Sequence, residues 1–146
     1  RVTIVKVDKP SRITINEEIQ WFSSSLGLFG DRDKEKSRFR IFLELLKSTK
    51  IGKGLSTDQI SEKTNLTRAT VIHHLNFLIE QGIVICKDNR YYLRDKNLEN
   101  LVVNIHKDIK DIFDELTKIA ESIDKELGLK CLENNCLTSL ITLQIV

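Results

Sequence analysis

The sequence of 146 residues has no methionine and only three cysteines, Cys86, Cys131 and Cys136. Three thiols do not make the disulfide framework of a small secreted domain. No apolar run approaches the length of a membrane span, and no secretory signal opens the chain. A cytoplasmic location and no membrane partner are therefore expected. Position 1 is arginine, so the numbering is expected to start inside a longer or tagged chain. A glycine-rich phosphate loop, a nucleophile elbow and a His-Glu-x-x-His pair are all missing. His73 and His74 have no carboxylate at a spacing that marks a catalytic base. The acidic run Asp108, Asp111, Asp114 and Glu115 reads as the solvated face of a helix. Neither an enzyme nor a cofactor is expected.

What is present is an ordinary soluble composition, 40% hydrophobic and 30% charged, long enough for one domain with an appended element. The net charge of +2 is unevenly spread. Residues 1–49 carry ten basic and seven acidic side chains, and residues 50–94 carry seven and four. Residues 96–127 carry five basic and eight acidic. A mildly basic body followed by an acidic helix suits a DNA-facing part and a partner-facing stalk; plain solvated surface is the competing explanation.

The stretch from Ser56 to Arg94 organises the chain. Ser56 stands three residues before Gln59, a capping box, and opens a helix to about Thr64. Asn65 and Leu66 make a turn, and Thr67 can cap the next helix. Val71, Leu75, Leu78 and Ile79 recur there at helical spacing, with Ile72 at the edge. Gly82 ends that helix, because a left-handed position costs glycine nothing. Ile83–Lys87 and Arg90–Arg94 are β-prone runs joined by Asp88-Asn89, a two-residue hairpin loop. Helix, turn, helix and hairpin in this order predict a winged helix-turn-helix.

The residues ATVIHHLNFLIEQGIV resemble the recognition helix and first wing strand of ArsR-type winged-helix regulators. The shared pattern is Thr70-Val71, His74-Leu75, Leu78 and Gly82-Ile83-Val84, and YYLRD is similar to the second wing strand. The resemblance covers roughly residues 36–95. It implies double-stranded DNA as partner and a regulator of transcription; other winged-helix regulators share most of the pattern.

Before this region, Val2–Val7 reads as a short strand broken at Asp8-Lys9-Pro10-Ser11. Ile13–Ile15 reads as a second strand. Asn16 is the expected cap of a helix carrying Ile19, Phe22 and Leu26 on one face, with Trp21 beside it. Asp31 or Asp33 should open the next helix, with Phe39, Ile41, Phe42, Leu45 and Leu46 apolar. Thr49–Leu55 reads as a loop in which Lys50 and Lys53 are free to meet a phosphate or water.

After the hairpin, Lys96 to Leu127 reads as one helix. Leu98, Ile105, Ile112 and Ile119 alternate with Val102, Ile109, Leu116 and Ile123 in a 4-then-3 heptad. Phe113, Ala120 and Leu127 widen the stripe. About 30 residues of helix span on the order of 45 Å, more than a small body covers, so these eight positions are the expected dimer face of a homodimer. The competing arrangement packs the helix back on Ile19, Phe22 and Leu26. Leu137–Val146 is β-prone, and pairing with Val2–Val7 or a partner chain is its expected fate.

A recognition helix presents its N-terminal residues to base edges in the major groove. Thr67, Arg68, Thr70, His73 and His74 are the expected contacts. Lys87 and Arg90 flank the wing tip and could reach the minor groove or backbone. Phe77 is placed on the same helix, outward or packed inside. Metal sensing, which the resemblance invites, finds no support. The helix TDQISEKT carries no cysteine or histidine. Asn104 stands where an Asp would precede His106, and Thr117 and Ala120 replace the second histidine pair. Cys131 and Cys136 remain as a C-x4-C pair, incomplete for zinc unless a dimer supplies four thiolates; redox pairing or unremarkable thiols are the alternatives. No metal site is expected, and no small-molecule effector can be named.

The expected fold class is mainly α with a small β wing. The winged helix-turn-helix (residues 31–95) lies between an N-terminal extension (1–30) and a long C-terminal dimerisation helix (96–128), followed by a β-prone tail (129–146). The function read from this is a homodimeric, sequence-specific DNA-binding regulator. The alternative is a winged-helix protein-interaction module without direct DNA binding.

Overall fold

Helix and hairpin boundaries are set by local side-chain chemistry along most of the chain. The computed structural model describes residues 2–9, 11, 14–30 and 32–129. Among them the order is α1 (Ile15–Ser25), α2 (Ser37–Thr49), α3 (Thr57–Thr64), α4 (Arg68–Glu80), β1 (Val84–Lys87), β2 (Arg90–Leu93) and α5 (Leu98–Leu127). This is a winged helix-turn-helix with a helix on either side, mainly α with a small β wing. The chain divides into two compact units, 1–105 and 106–146.

Ser56 caps α3 through a full capping box: its side chain accepts from the Gln59 N–H, and the Gln59 side chain accepts from the Ser56 N–H. Asn65 ends α3 at φ 52, a left-handed position that asparagine tolerates better than most residues. Thr67 then caps α4 by accepting from the Thr70 N–H at 3.2 Å. Gly82 follows at φ 73, as the end of that helix requires. The wing turn puts Asp88 at φ 51 and Asn89 at φ 57, the two left-handed residues that a tight hairpin matches to strand twist. The strands pair antiparallel with Val84 opposite Leu93 and Lys87 opposite Arg90. Leu55, expected in a loop, makes an isolated bridge to Tyr91 through both backbone bonds.

The core joins α2, α3, α4, the wing and the start of α5. Ile41, Phe42, Leu45, Ile60, Val71, Leu75, Leu78, Ile83 and Leu101 are among its fully enclosed apolar side chains. The Tyr92 ring closes against Gly54, whose missing side chain makes the contact possible: a Cβ there would sit 2.4 Å from the ring.

Four expectations in the first forty residues are corrected. Val2–Val7 forms no strand with any of the described residues. It runs as an extended strap, with the Val5 N–H on the Ser25 carbonyl, the Thr3 N–H on Gln81 Oε1 and the Trp21 indole N–H on the Val7 carbonyl. Ile15 belongs to α1 rather than to a strand, and Thr14, not Asn16, caps it, because Glu17 closes a capping box with Thr14. The α2 helix begins later than Asp33, although both Asp33 carboxylate oxygens accept from the free N–H groups of Ser37 and Arg38 at its start.

The first two turns of α5 belong to the first unit. Leu101 is fully buried and Ile105 nearly so, while Leu98 and Val102 line a cleft of about 490 Å³ with Ile15, Ile19, Trp21 and Phe22. Ile105 is therefore removed from the expected dimer face, because its own unit's core takes it. Leu101, outside the heptad list, is the residue that joins it there. Asn104 donates to Asp95 Oδ1 at 2.6 Å. In the second unit Ile112, Phe113, Leu116, Ile119, Ile123 and Leu127 are all exposed, between 51% and 67%. Leu137–Val146 and the two cysteines Cys131 and Cys136 lie outside the described residues.

Candidate nucleic-acid interface

The α4 helix has two unlike faces. Val71, Leu75 and Leu78 are completely buried at 0% exposure, and each step of 3 or 4 residues keeps them on one side. The opposite side exposes Arg68, Ala69, Ile72, His73 and Asn76. The helix therefore cannot roll without exposing the core, and its outward residues are fixed in place. Their N-terminal end is the part a groove-bound helix presents to base edges.

Each expected contact residue has a definite position. Thr67 is exposed and Thr70 half-buried, and their hydroxyls lie 2.8 Å apart. Both hydroxyls are thus partly occupied by the cap they build. Arg68 is exposed and forms an ion pair with Asp58, Nη1 to Oδ1, at 3.3 Å. His73 is exposed, with its ring edge-on to His74 at 5.1 Å between centroids.

His74 is corrected. It is 8% exposed and faces inward, so it is not available to DNA. Its position follows from spacing: residue 74 is three after Val71 and four before Leu78, on the buried side. Its Nδ1 is enclosed without a hydrogen-bond partner. Burial pushes its pKa down, Arg38 and His73 push the same way, and Asp33 opposes them. Phe77 is half-buried under the Arg38 guanidinium, 3.5 Å from ring centre to Cζ. Ile79 is 38% exposed and does not extend the buried stripe.

At the wing, Lys87 and Arg90 are both exposed and sit opposite each other next to the turn. Arg90 is also anchored: Nη1 donates to the Gly54 carbonyl at 2.9 Å and reaches Gln59 Oε1 at 3.4 Å. Lys87, with Lys53 and Lys96, borders a cleft of about 450 Å³ over Ile85, Tyr92 and Leu93. These lysines add positive charge beside the wing. The sequence offered no signal for the Asp58–Arg68 pair. Asp58 is ten residues away, and only the angle between two helices brings it near.

Among the described residues no group of three or more His, Cys, Asp or Glu side chains converges as a metal site would. None of their helices is long and apolar enough to cross a membrane.

Residues 36–85 match the family model described as bacterial regulatory protein, arsR family. The matched stretch runs from the residue before α2 to the second residue of β1. This region is thus similar to the helix-turn-helix of arsR-family regulators, over about a third of the chain. No curated protein and no solved structure gives a significant match.

Proposed function

We propose that this chain, with its ArsR-type helix-turn-helix at residues 36–85, regulates transcription as a homodimer that places two α4 helices in successive major grooves. The observation that carries the reading is the division of α4 into a locked apolar face and an open one beginning at Arg68. A guanidinium at the first position of such a helix can donate two hydrogen bonds to a guanine, or meet a phosphate. Thr67, Thr70 and His73 share that end, and Lys87 and Arg90 approach the minor groove or backbone from the wing.

The dimer reading is supported by α5. Six large apolar side chains, from Ile112 to Leu127, repeat along one side of the helix and are exposed. A second copy of the same helix covers such a stripe with the least added machinery, and twofold symmetry then relates the two recognition helices. Half-sites should lie about one helical turn of DNA apart.

Selection of bound duplexes from a random pool by the purified protein tests both parts. A consensus with twofold symmetry is expected. An enriched sequence without symmetry would remove the dimer, and no enrichment at all would remove sequence-specific recognition.

A further inference from the structure

Asp58 is an unexpected residue at a surface meant for a polyanion. It lies in the first turn of α3 and is 70% exposed, and its carboxylate meets Arg68, itself 68% exposed, at 3.3 Å. An ion pair this open to water adds little to folding. A negative charge beside the DNA-facing end of α4 also repels phosphates at every sequence alike. Its place in the first turn of α3 suits the helix N-terminus, but neither the stability of the ion pair nor general affinity accounts for its meeting Arg68.

The same turn of α3 holds a second arginine. Gln59, adjacent to Asp58, accepts from Arg90 Nη1 at 3.4 Å while also capping its own helix. One helical turn therefore touches both arginines expected at DNA, one from α4 and one from the wing.

We propose that Asp58 is a positioning residue that fixes the direction of the Arg68 guanidinium and so determines sequence discrimination without itself touching a base. The proposal rests on the DNA-binding reading above. Arginine carries five N–H donors in a planar fork, so one carboxylate at Nη1 leaves a free edge for a base. A side chain held in one direction loses less freedom on binding than one that must be ordered. As the interface closes and water leaves, the pair strengthens and the aim is kept.

The test is a double-mutant cycle with four proteins: wild type, Asp58→Asn, Arg68→Ala and the double variant. Each is titrated against the duplex selected by the wild type and a shuffled duplex of equal composition. With Asp58→Asn, affinity for the shuffled duplex should rise, while the ratio between the two duplexes should fall about fivefold, the size of coupling seen between contacting residues. In the Arg68→Ala background the same change should leave the ratio unaltered, and Asp58→Glu should restore part of it. The cycle separates this role from the favourable place of an acidic group at a helix N-terminus, which is present in both backgrounds.

Three results would overturn the proposal. The ratio could survive Asp58→Asn, with both affinities rising together. It could fall equally in both backgrounds. Binding to both duplexes could fall in parallel with thermal stability. A wild type that binds no duplex would instead defeat the DNA-binding reading itself.

Discussion

Arg38 at the start of α2 stacks its guanidinium on Phe77 of α4, 3.5 Å from Cζ to the ring centre. The contact ties α4 to α2. Partly desolvated cation–π pairs contribute about 1–2 kcal/mol. Arg38→Ala should lower the unfolding free energy by about that amount, read from the urea midpoint at constant slope. Arg38→Lys should recover only part, since an ammonium cannot stack flat. A full recovery by lysine would show that charge alone matters.

The same corner makes stability depend on pH. Burial first of all lowers the His74 pKa, with Arg38 and His73 adding to it and Asp33 resisting. Its folded value thus lies below the ordinary histidine value of about 6.5. In that interval the unfolded chain binds more protons than the folded one. Stability is therefore whole above about pH 6.5 and is lost as acid enters the interval. Asp33 behaves likewise at lower pH. Burial would raise its pKa, but the Arg38 and Ser37 N–H groups and nearby His74 hold it down. Its contribution is present above about pH 3.9 and fades below. His74→Gln should flatten the upper step and shrink the lower one, since Asp33 loses one of the groups that hold its pKa down. An unchanged upper step in urea titrations of the variant would assign it to another group.

Gly54→Ala should destabilise the wing. The added Cβ would meet the Tyr92 ring at 2.4 Å, and overpacking of this kind costs about 1–3 kcal/mol. In a Tyr92→Ala background the extra cost should disappear. If the cost persists there, backbone conformation rather than the ring is responsible.

On α5, Leu116→Lys combined with Ile119→Lys places two cations in the middle of the exposed stripe. Sedimentation should show one copy for the variant and two for the wild type. A wild type that sediments as one copy at micromolar concentration would contradict the homodimer.

The helix-turn-helix was readable in the sequence because its boundaries are local. Ser56 and Gln59, Thr67 and Thr70, Gly82 and the Asp88-Asn89 turn all act within four residues. Val2–Val7 alternates like a strand, but among the described residues its backbone finds partners in Ser25 and Gln81. Those contacts depend on tertiary placement, which a local pattern does not carry. In the sequence His74 reads as outward with Thr67, Arg68, Thr70 and His73, whereas its spacing from Val71 and Leu78 puts it inside. Ile105 fits the heptad as well as Ile112 does, yet Ile105 is buried within the first unit and Ile112 is exposed. The Arg68–Asp58 and Arg38–Phe77 contacts join separate helices, so no periodicity announces them.

The most direct measurement is a titration of wild type and Arg68→Ala against the selected duplex over a range of salt. Wild-type affinity should fall linearly in logarithmic scale as salt rises, through release of counterions. Arg68→Ala should bind about 5- to 100-fold more weakly at every salt concentration, the loss of one arginine contact. Equal affinity and an equal salt slope for the two proteins would contradict the assignment of the outward face of α4 as the surface that reads DNA.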